Sequence, residues 1–250
     1  MSALLGLSSM EFLILTGIVM VAGIVRGFSG FALSAIVMAS AVIILPPVQL
    51  IPICWWLEMG ASLLMVRGGW QDADRGVVKG LVIGSAIGVP LGLALTTSVS
   101  VETSALIALS LLIVLAGTQL VKLRLPFLAT TPGLYGSGLL AGIVTGLASV
   151  GGMVVALYVL ARDAPARQMR GSLVLYLFFS SLVSMGMLLA YGVMDLTATV
   201  RGFAFLVPTL CGVLLGQRLF TPKYEPYYKP FCLSLLIALA SIALGRTLLT

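Results

Sequence analysis

Gly23-Ile24-Val25-Arg26-Gly27 returns 119 residues later as Gly142-Ile143-Val144-Thr145-Gly146. The same offset carries Pro46 onto Pro165 and Ser62 onto Ser181. Further along each half the offset becomes 124: Gly88 and Gly92 fall on Gly212 and Gly216, and residues 109–116 (LSLLIVLA) match residues 233–240 (LSLLIALA) at seven of eight positions. A single leucine-rich match arises easily by chance. Glycine, proline and serine matches kept in order along the chain indicate an internal duplication. The halves are taken as residues 1–125 and 126–250, two repeats of a single membrane domain.

Of the 250 residues, 60% are hydrophobic and only 9% charged, which excludes an ordinary soluble globule. Residues 27–57, 80–101, 103–121, 125–161 and 171–194 contain no Asp, Glu, Lys or Arg. A bilayer core needs about 20 apolar residues per helix, so an all-α polytopic membrane protein is expected. The chain has no histidine, hence no imidazole base, no His-ligated zinc and no axial haem histidine. Cys54, Cys211 and Cys232 lie in apolar stretches without CxxC spacing and read as packing residues. No metal site, disulfide or cofactor is called for. The N-terminus lacks a basic region and its first charge is Glu11, so the first apolar segment is expected to persist in the mature protein. In so apolar a chain a net charge of +6 marks cytoplasmic loops rather than a nucleic-acid partner.

Apolar stretches fall near residues 11–27, 28–45, 48–66, 77–97 and 103–121, and again near 133–145, 150–161, 171–191, 200–218 and 231–248, with a short linker over residues 122–132. If the first two stretches of each half form one long helix, the flanking basic residues divide almost evenly between the two sides. If each pair returns to its starting side, Arg67, Arg75, Lys79, Lys122, Arg124, Arg162, Arg167, Arg170, Arg218, Lys223 and Lys229 share one side, and only Arg201 and Arg246 lie on the other. The positive-inside bias then puts both termini outside the cytoplasm. Two full crossings per pair would give the same sidedness, so charge favours a hairpin without fixing its depth. The second pair has arms of only about 12 or 13 residues, roughly 18 to 20 Å of helix against a hydrocarbon core of about 30 Å. Re-entrant hairpins follow, one from each face, with the halves inverted and the tips near the midplane, where inverted-repeat transporters bind substrate.

The tips read Arg26-Gly27-Phe28-Ser29-Gly30 and Thr145-Gly146-Leu147-Ala148-Ser149-Val150-Gly151-Gly152. Glycine lets the chain turn, and the half-helix after it presents free N–H groups and a positive dipole end that attract anions. Ser29 and Ser149 add hydroxyl donors, and Arg26 a bidentate cation suited to an oxyanion or, alternatively, to structural pairing with an acid. Glu58, the only acid well inside an apolar span, follows Trp55 and Trp56; it is the natural partner of Arg26 or a proton carrier. Ser172, Tyr176, Ser180 and Ser181 occupy the corresponding helix of the second half, as ligands or as packing residues. Gly76, Gly80, Gly84, Gly88 and Gly92 form a small-residue stripe that reads as intramolecular packing ahead of a dimer seam. The run at residues 223–229 (KYEPYYK) reads as an interfacial anchor.

These features resemble the sulfite exporter TauE/SafE family of membrane transporters: a glycine-containing break early in each half, Pro46 and Pro165 at the start of the next segment, and a basic loop before the third helix. The resemblance spans nearly the whole chain and implies a small sulfur-containing anion as substrate, such as sulfite, a sulfonate or sulfoacetate, carried across a lipid bilayer. Members often have four or five consecutive glycines at the first tip, where this chain has Gly27-Phe28-Ser29-Gly30-Phe31, and it keeps only Gly151-Gly152 at the second. They often place a Thr-Asn or Thr-Ser pair after the proline, where this chain has Pro52-Ile53 and Gly171-Ser172. Phe28 and Phe31 with Trp55 and Trp56 suggest a pocket partly walled by aromatics, better suited to an organic anion.

The site expected from these readings comprises Arg26, Gly27, Ser29, Gly30, Trp55, Thr145, Ser149, Gly151, Ser172 and Tyr176, with Glu58 as coupling or ion-pair candidate. Without a Walker A sequence or a nucleotide-binding domain the expected class is a secondary transporter, placed in a bacterial plasma membrane and working by alternating access. The membrane potential supplies about 2.3 kcal/mol per charge per 100 mV to an anion leaving an inside-negative cell. Concentrative uptake would need a coupled proton or sodium ion. A membrane enzyme is disfavoured for want of a catalytic constellation. A scaffold subunit, a carrier of another organic anion, and a homodimer remain open.

Overall fold

The computed structural model describes residues 6–100, 130–162 and 164–228, with scattered helical positions between 103 and 114 and between 230 and 238. All regular structure among the described residues is helical. In chain order the helices are α1 (Ser9–Ser29), α2 (Leu33–Ala41), α3 (Pro47–Asp72), α4 (Arg75–Ser98), α5 (Thr131–Ala148), α6 (Gly151–Ala161), α7 (Ala166–Ala190) and α8 (Leu196–Leu219). Among them α1, α3, α4, α7 and α8 are long and apolar enough to cross a membrane. The expected fifth stretches at 103–121 and 231–248, the linker and the repeat boundary lie outside the described residues apart from those scattered positions.

Polar residues set the helix starts. Ser8 and Glu11 form a capping box on α1, with Ser8 N–H donating to Glu11 Oε2 at 2.7 Å and Glu11 N–H to Ser8 Oγ at 3.2 Å. Asp74 caps α4 through Val77 N–H at 3.1 Å and Asp195 caps α8 through Ala198 N–H at 2.6 Å, so the two halves begin their fourth helices alike. Pro46 and Pro165 sit in extended conformation at the N-caps of α3 and α7. The two helix breaks fall 119 positions apart. Gly30 ends α1 at φ 83° and Ser149 ends α5 at φ 56°, each returning its N–H to the carbonyl four residues back, Arg26 and Thr145 respectively. These are left-handed conformations that suit glycine and cost a serine about 1 kcal/mol.

The arms are less equal than their apolar stretches imply. α1 has 21 residues and α5 has 18, about 31 and 27 Å of helix, whereas α2 has 9 and α6 has 11. The expectation of two arms of 12 or 13 residues therefore fails for α5, whose helix runs on to Thr131 through Thr-Pro-Gly-Leu-Tyr. Thr130 caps it by accepting Gly133 N–H at 3.1 Å, and Pro132 is tolerated in the first turn.

Two glycine seams hold the halves together. A Cβ on Gly88 of α4 would lie 2.2 Å from Leu139 O and 3.0 Å from Gly142 Cα on α5. One on Gly212 of α8 would lie 2.3 Å from Met20 O and 3.0 Å from Ile24 N on α1. A Cβ on Gly92 would lie 2.1 Å from Ile143 O, and one on Gly216 2.0 Å from Ile24 O. Leu139 is the repeat counterpart of Met20, and Ile143 of Ile24, so each seam joins the fourth helix of one half to the first helix of the other with matching residues. Backbones in such contact leave no room for a side chain. Gly80 to Gly92 of the stripe are thus spent inside the molecule, as expected, whereas Gly76 is exposed and takes no part in the seam; α3 packs against α7.

Candidate functional site

The last carbonyls of a helix lack intrahelical donors, so where they are buried other groups must satisfy them. At the end of α1 side chains do so. Arg170 of α7 donates through Nη2 to Gly27 O at 2.6 Å and through Nε to Phe28 O at 3.0 Å, with its guanidinium 4.5 Å from the Phe220 ring centre. Tyr228 donates its hydroxyl to Ser29 O at 2.6 Å. Arg26 closes the set by donating Nη1 to Gly30 O. Its Nη2 bonds Ser62 Oγ at 2.9 Å, and its Nε lies 3.0 Å from Glu58 Oε2 with the N–H off the line to that oxygen. The other carboxylate oxygen of Glu58 accepts from Ser34 N–H at 3.3 Å and Ser34 Oγ at 2.9 Å, in the first turn of α2. A carboxylate thus sits on the positive end of α2, and the fully buried Arg26 neutralises it.

Beside this cluster lies a cavity of about 40 Å³, room for about three waters. Both breaks contribute to it: Ala32, Ser34 and Ala35 from the first, Thr145, Ser149 and Gly152 from the second. Trp55 and Glu58 of α3 and Leu177, Ser180, Ser181 and Ser184 of α7 complete the polar and central wall. Glu58 is the one ionisable group on this lining. Most hydroxyls here are committed: Thr145 donates to Ala141 O at 2.7 Å, Ser184 to Ser180 O at 2.8 Å, and Ser180 Oγ lies 3.3 Å from Ser85 Oγ. The Trp55 indole N–H is spent on Ser181 O at 2.7 Å. Ser149 and Ser181 make no hydroxyl bond to any described residue.

The family model for the sulfite exporter TauE/SafE matches residues 15–242. The chain belongs to the TauE/SafE family. This is a family of membrane transporters for sulfite- and sulfonate-type anions, not of enzymes. No curated protein and no solved structure matches the chain significantly.

For this TauE/SafE chain the structure gathers part of the expected site and disperses the rest. Trp55, Glu58, Thr145 and Ser149 line the cavity, with Ser180 and Ser181. Arg26 does not; it holds the first tip and Glu58, the structural pairing of its two expected roles. Ser29 is turned inward, bonding Val25 O at 2.8 Å and Phe31 O at 2.9 Å. Gly27 is a seam residue, its Cβ direction 2.2 Å from Val213 O, and Gly151 is packed against Ala141 O. Only Gly30 among these glycines serves the turn. Ser172 accepts from Asp74 N–H at 3.0 Å and belongs to a second cavity of about 310 Å³, with Asp74, Arg162 and Gln168. Tyr176 is fully buried and bonds Ser85 Oγ at 3.1 Å. Phe28 packs on Phe220, Tyr228 and Phe231, and Phe31 is buried; neither walls the cavity, so the aromatic lining reduces to Trp55. Ser34, Ser184, Arg170 and Tyr228 were not expected. Tyr228 lies in the run read as an interfacial anchor, which fits Tyr224 and Tyr227, both exposed, but not Tyr228.

Proposed function

We propose that this TauE/SafE member is a secondary transporter that exports small sulfur oxyanions, organosulfonates or sulfite, through the cavity between the two tips. The observation that carries the reading is this hydroxyl-rich cavity, shared by both helix breaks and holding Ser149 and Ser181 hydroxyls that bond no described residue. Neutral donors at a helix N-terminus bind a dehydrated anion without the strong hold of a buried cation, so that it can also leave. The two halves are read as inverted, with one tip from each face and both termini on the non-cytoplasmic side. Equivalence of the two seams and the distribution of basic residues support this arrangement. The second cavity, with Arg162 3.8 Å from Asp74, lies on the basic side and is read as the cytoplasmic approach.

Passage of the substrate through the central cavity is read as a movement of α2 or α6 relative to α3 and α7, the motion alternating access demands. Energy comes from the substrate gradient and the membrane potential. Glu58, the acid facing the cavity, is the group at which a coupled proton would exchange if the direction were uptake.

Purified protein titrated with sulfite, isethionate, taurine and sulfoacetate tests the reading. A ligand bound only by the folded state raises apparent stability by about 2.7 kcal/mol at 100 times its Kd. A rise in Tm with at least one of these anions, absent with chloride, is the expected outcome; no rise with any of them contradicts it.

A further inference from the structure

The duplication pairs the polar cluster of the first half with residues of the second. Arg26 corresponds to Thr145, Ser34 to Met153, Glu58 to Leu177 and Ser62 to Ser181, all at the offset of 119. In the first half these positions hold a closed unit, with the Glu58 carboxylate on the N-terminal turn of α2, Arg26 against the carboxylate, and Ser62 accepting from Arg26. In the second half both charges are gone. Thr145, Leu177 and Ser181 line the central cavity, beside Gly152 in the first turn of the 11-residue α6.

Among the described residues nothing in the second half takes the place of the carboxylate. The Leu177 side chain reaches to 3.3 Å from the point where a Cβ of Gly152 would stand, so position 177 overlies the start of α6 as position 58 overlies the start of α2. The N–H groups of Gly151 and Gly152 have no intrahelical acceptor. Ser181 is only 7% exposed, faces the same cavity, and its hydroxyl bonds no described residue, because the arginine that occupies Ser62 is a threonine here.

We infer that the anionic head of the substrate seats on the first turn of α6, against Gly152 N–H and the Ser181 and Ser149 hydroxyls, in the position that the Glu58 carboxylate occupies on α2. The inference rests on the transport reading above and locates its substrate. The first half carries its own permanent anion and the second borrows one. The site recognises a compact head with several acceptor oxygens, a sulfonate or carboxylate, and leaves the organic remainder toward Trp55 and Leu188.

Isethionate titrated calorimetrically against purified wild type, Leu177→Glu, Leu177→Gln and Ser181→Ala, each checked for a monodisperse elution profile, tests it. A glutamate at position 177 should occupy the first turn of α6 itself and weaken isethionate binding about 100-fold, while the neutral glutamine leaves most of the affinity. Ser181→Ala should weaken binding about tenfold through the lost hydroxyl. Folded Leu177→Glu that binds within threefold of wild type would overturn the proposal. If Leu177→Glu does not fold, or Leu177→Gln loses binding equally, Ser181→Ala decides: a tenfold loss supports the site and unchanged affinity overturns it. A wild type that binds none of isethionate, sulfite, taurine and sulfoacetate would fail the transport reading itself, a result separate from binding that merely ignores these variants.

Discussion

Arg26 and Glu58 show how a charge is tolerated in the interior of this bundle. Each has no other counter-ion within reach among the described residues, and removing one partner strands the other, at a cost of about 3 to 5 kcal/mol for a buried pair. The second half displays the uncharged alternative, Thr145 with Leu177. Arg26→Ala and Glu58→Leu should therefore each lower the Tm markedly in thermal unfolding of the purified protein, while the double change Arg26→Thr with Glu58→Leu recovers much of the loss of Glu58→Leu alone. Recovery would be absent if the two residues acted independently. At Tyr228 only the hydroxyl is at stake. Tyr228→Phe keeps the ring contacts with Phe28 and Phe220 but orphans Ser29 O, and should cost about 1 to 3 kcal/mol in the same measurement. Neither Arg170 nor Tyr228 was legible as a tip residue in the sequence. Their acceptors are backbone carbonyls 142 to 199 positions away, and a backbone acceptor leaves no residue-type signature.

At the scale of the element, the seams were legible and the arms only partly so. Spacing of four along α4 puts Gly80, Gly84, Gly88 and Gly92 on one face, and small residues on one face have few uses besides close approach. Which helix approaches cannot be read from α4 alone; it is α5, from the other half. Gly88→Ala and Gly212→Ala place a methyl group 2.2 and 2.3 Å from a backbone oxygen and should each destabilise the protein by about 1 to 3 kcal/mol or more as the helices part. Gly17→Ala and Gly186→Ala, with nothing within 4 Å, should be neutral or gain up to about 1 kcal/mol from helix propensity. Equal losses at all four would contradict seam-specific packing. The length of α5 was hidden because Pro132 and the polar start of the helix resemble a loop, yet a proline in the first turn costs no hydrogen bond.

For the whole molecule, the internal sequence match foretold where both helices break, but neither the pairing of the seams nor which half is proposed to hold the substrate. That asymmetry depends on two substitutions, Arg26 to Thr145 and Glu58 to Leu177, whose meaning emerges only once α2 and α6 are seen against their neighbours. The proposed orientation rests on the distribution of charge. In a chain with Cys54, Cys211 and Cys232 replaced by alanine, a membrane-impermeant maleimide should label Ser100→Cys on intact cells and Lys223→Cys only after permeabilisation; the reverse pattern would invert the proposed topology. The central claim is that a sulfur oxyanion passes through the cavity between the tips. Its most direct test is efflux of sulfur-35 isethionate and sulfite from proteoliposomes holding wild type or Ser181→Leu, with and without an inside-negative potential of 100 mV. The account expects wild-type efflux that the potential drives toward a gradient of about 50-fold for a univalent anion, and its loss in folded Ser181→Leu. No flux of either anion above empty vesicles, or flux untouched by filling the cavity, would contradict it.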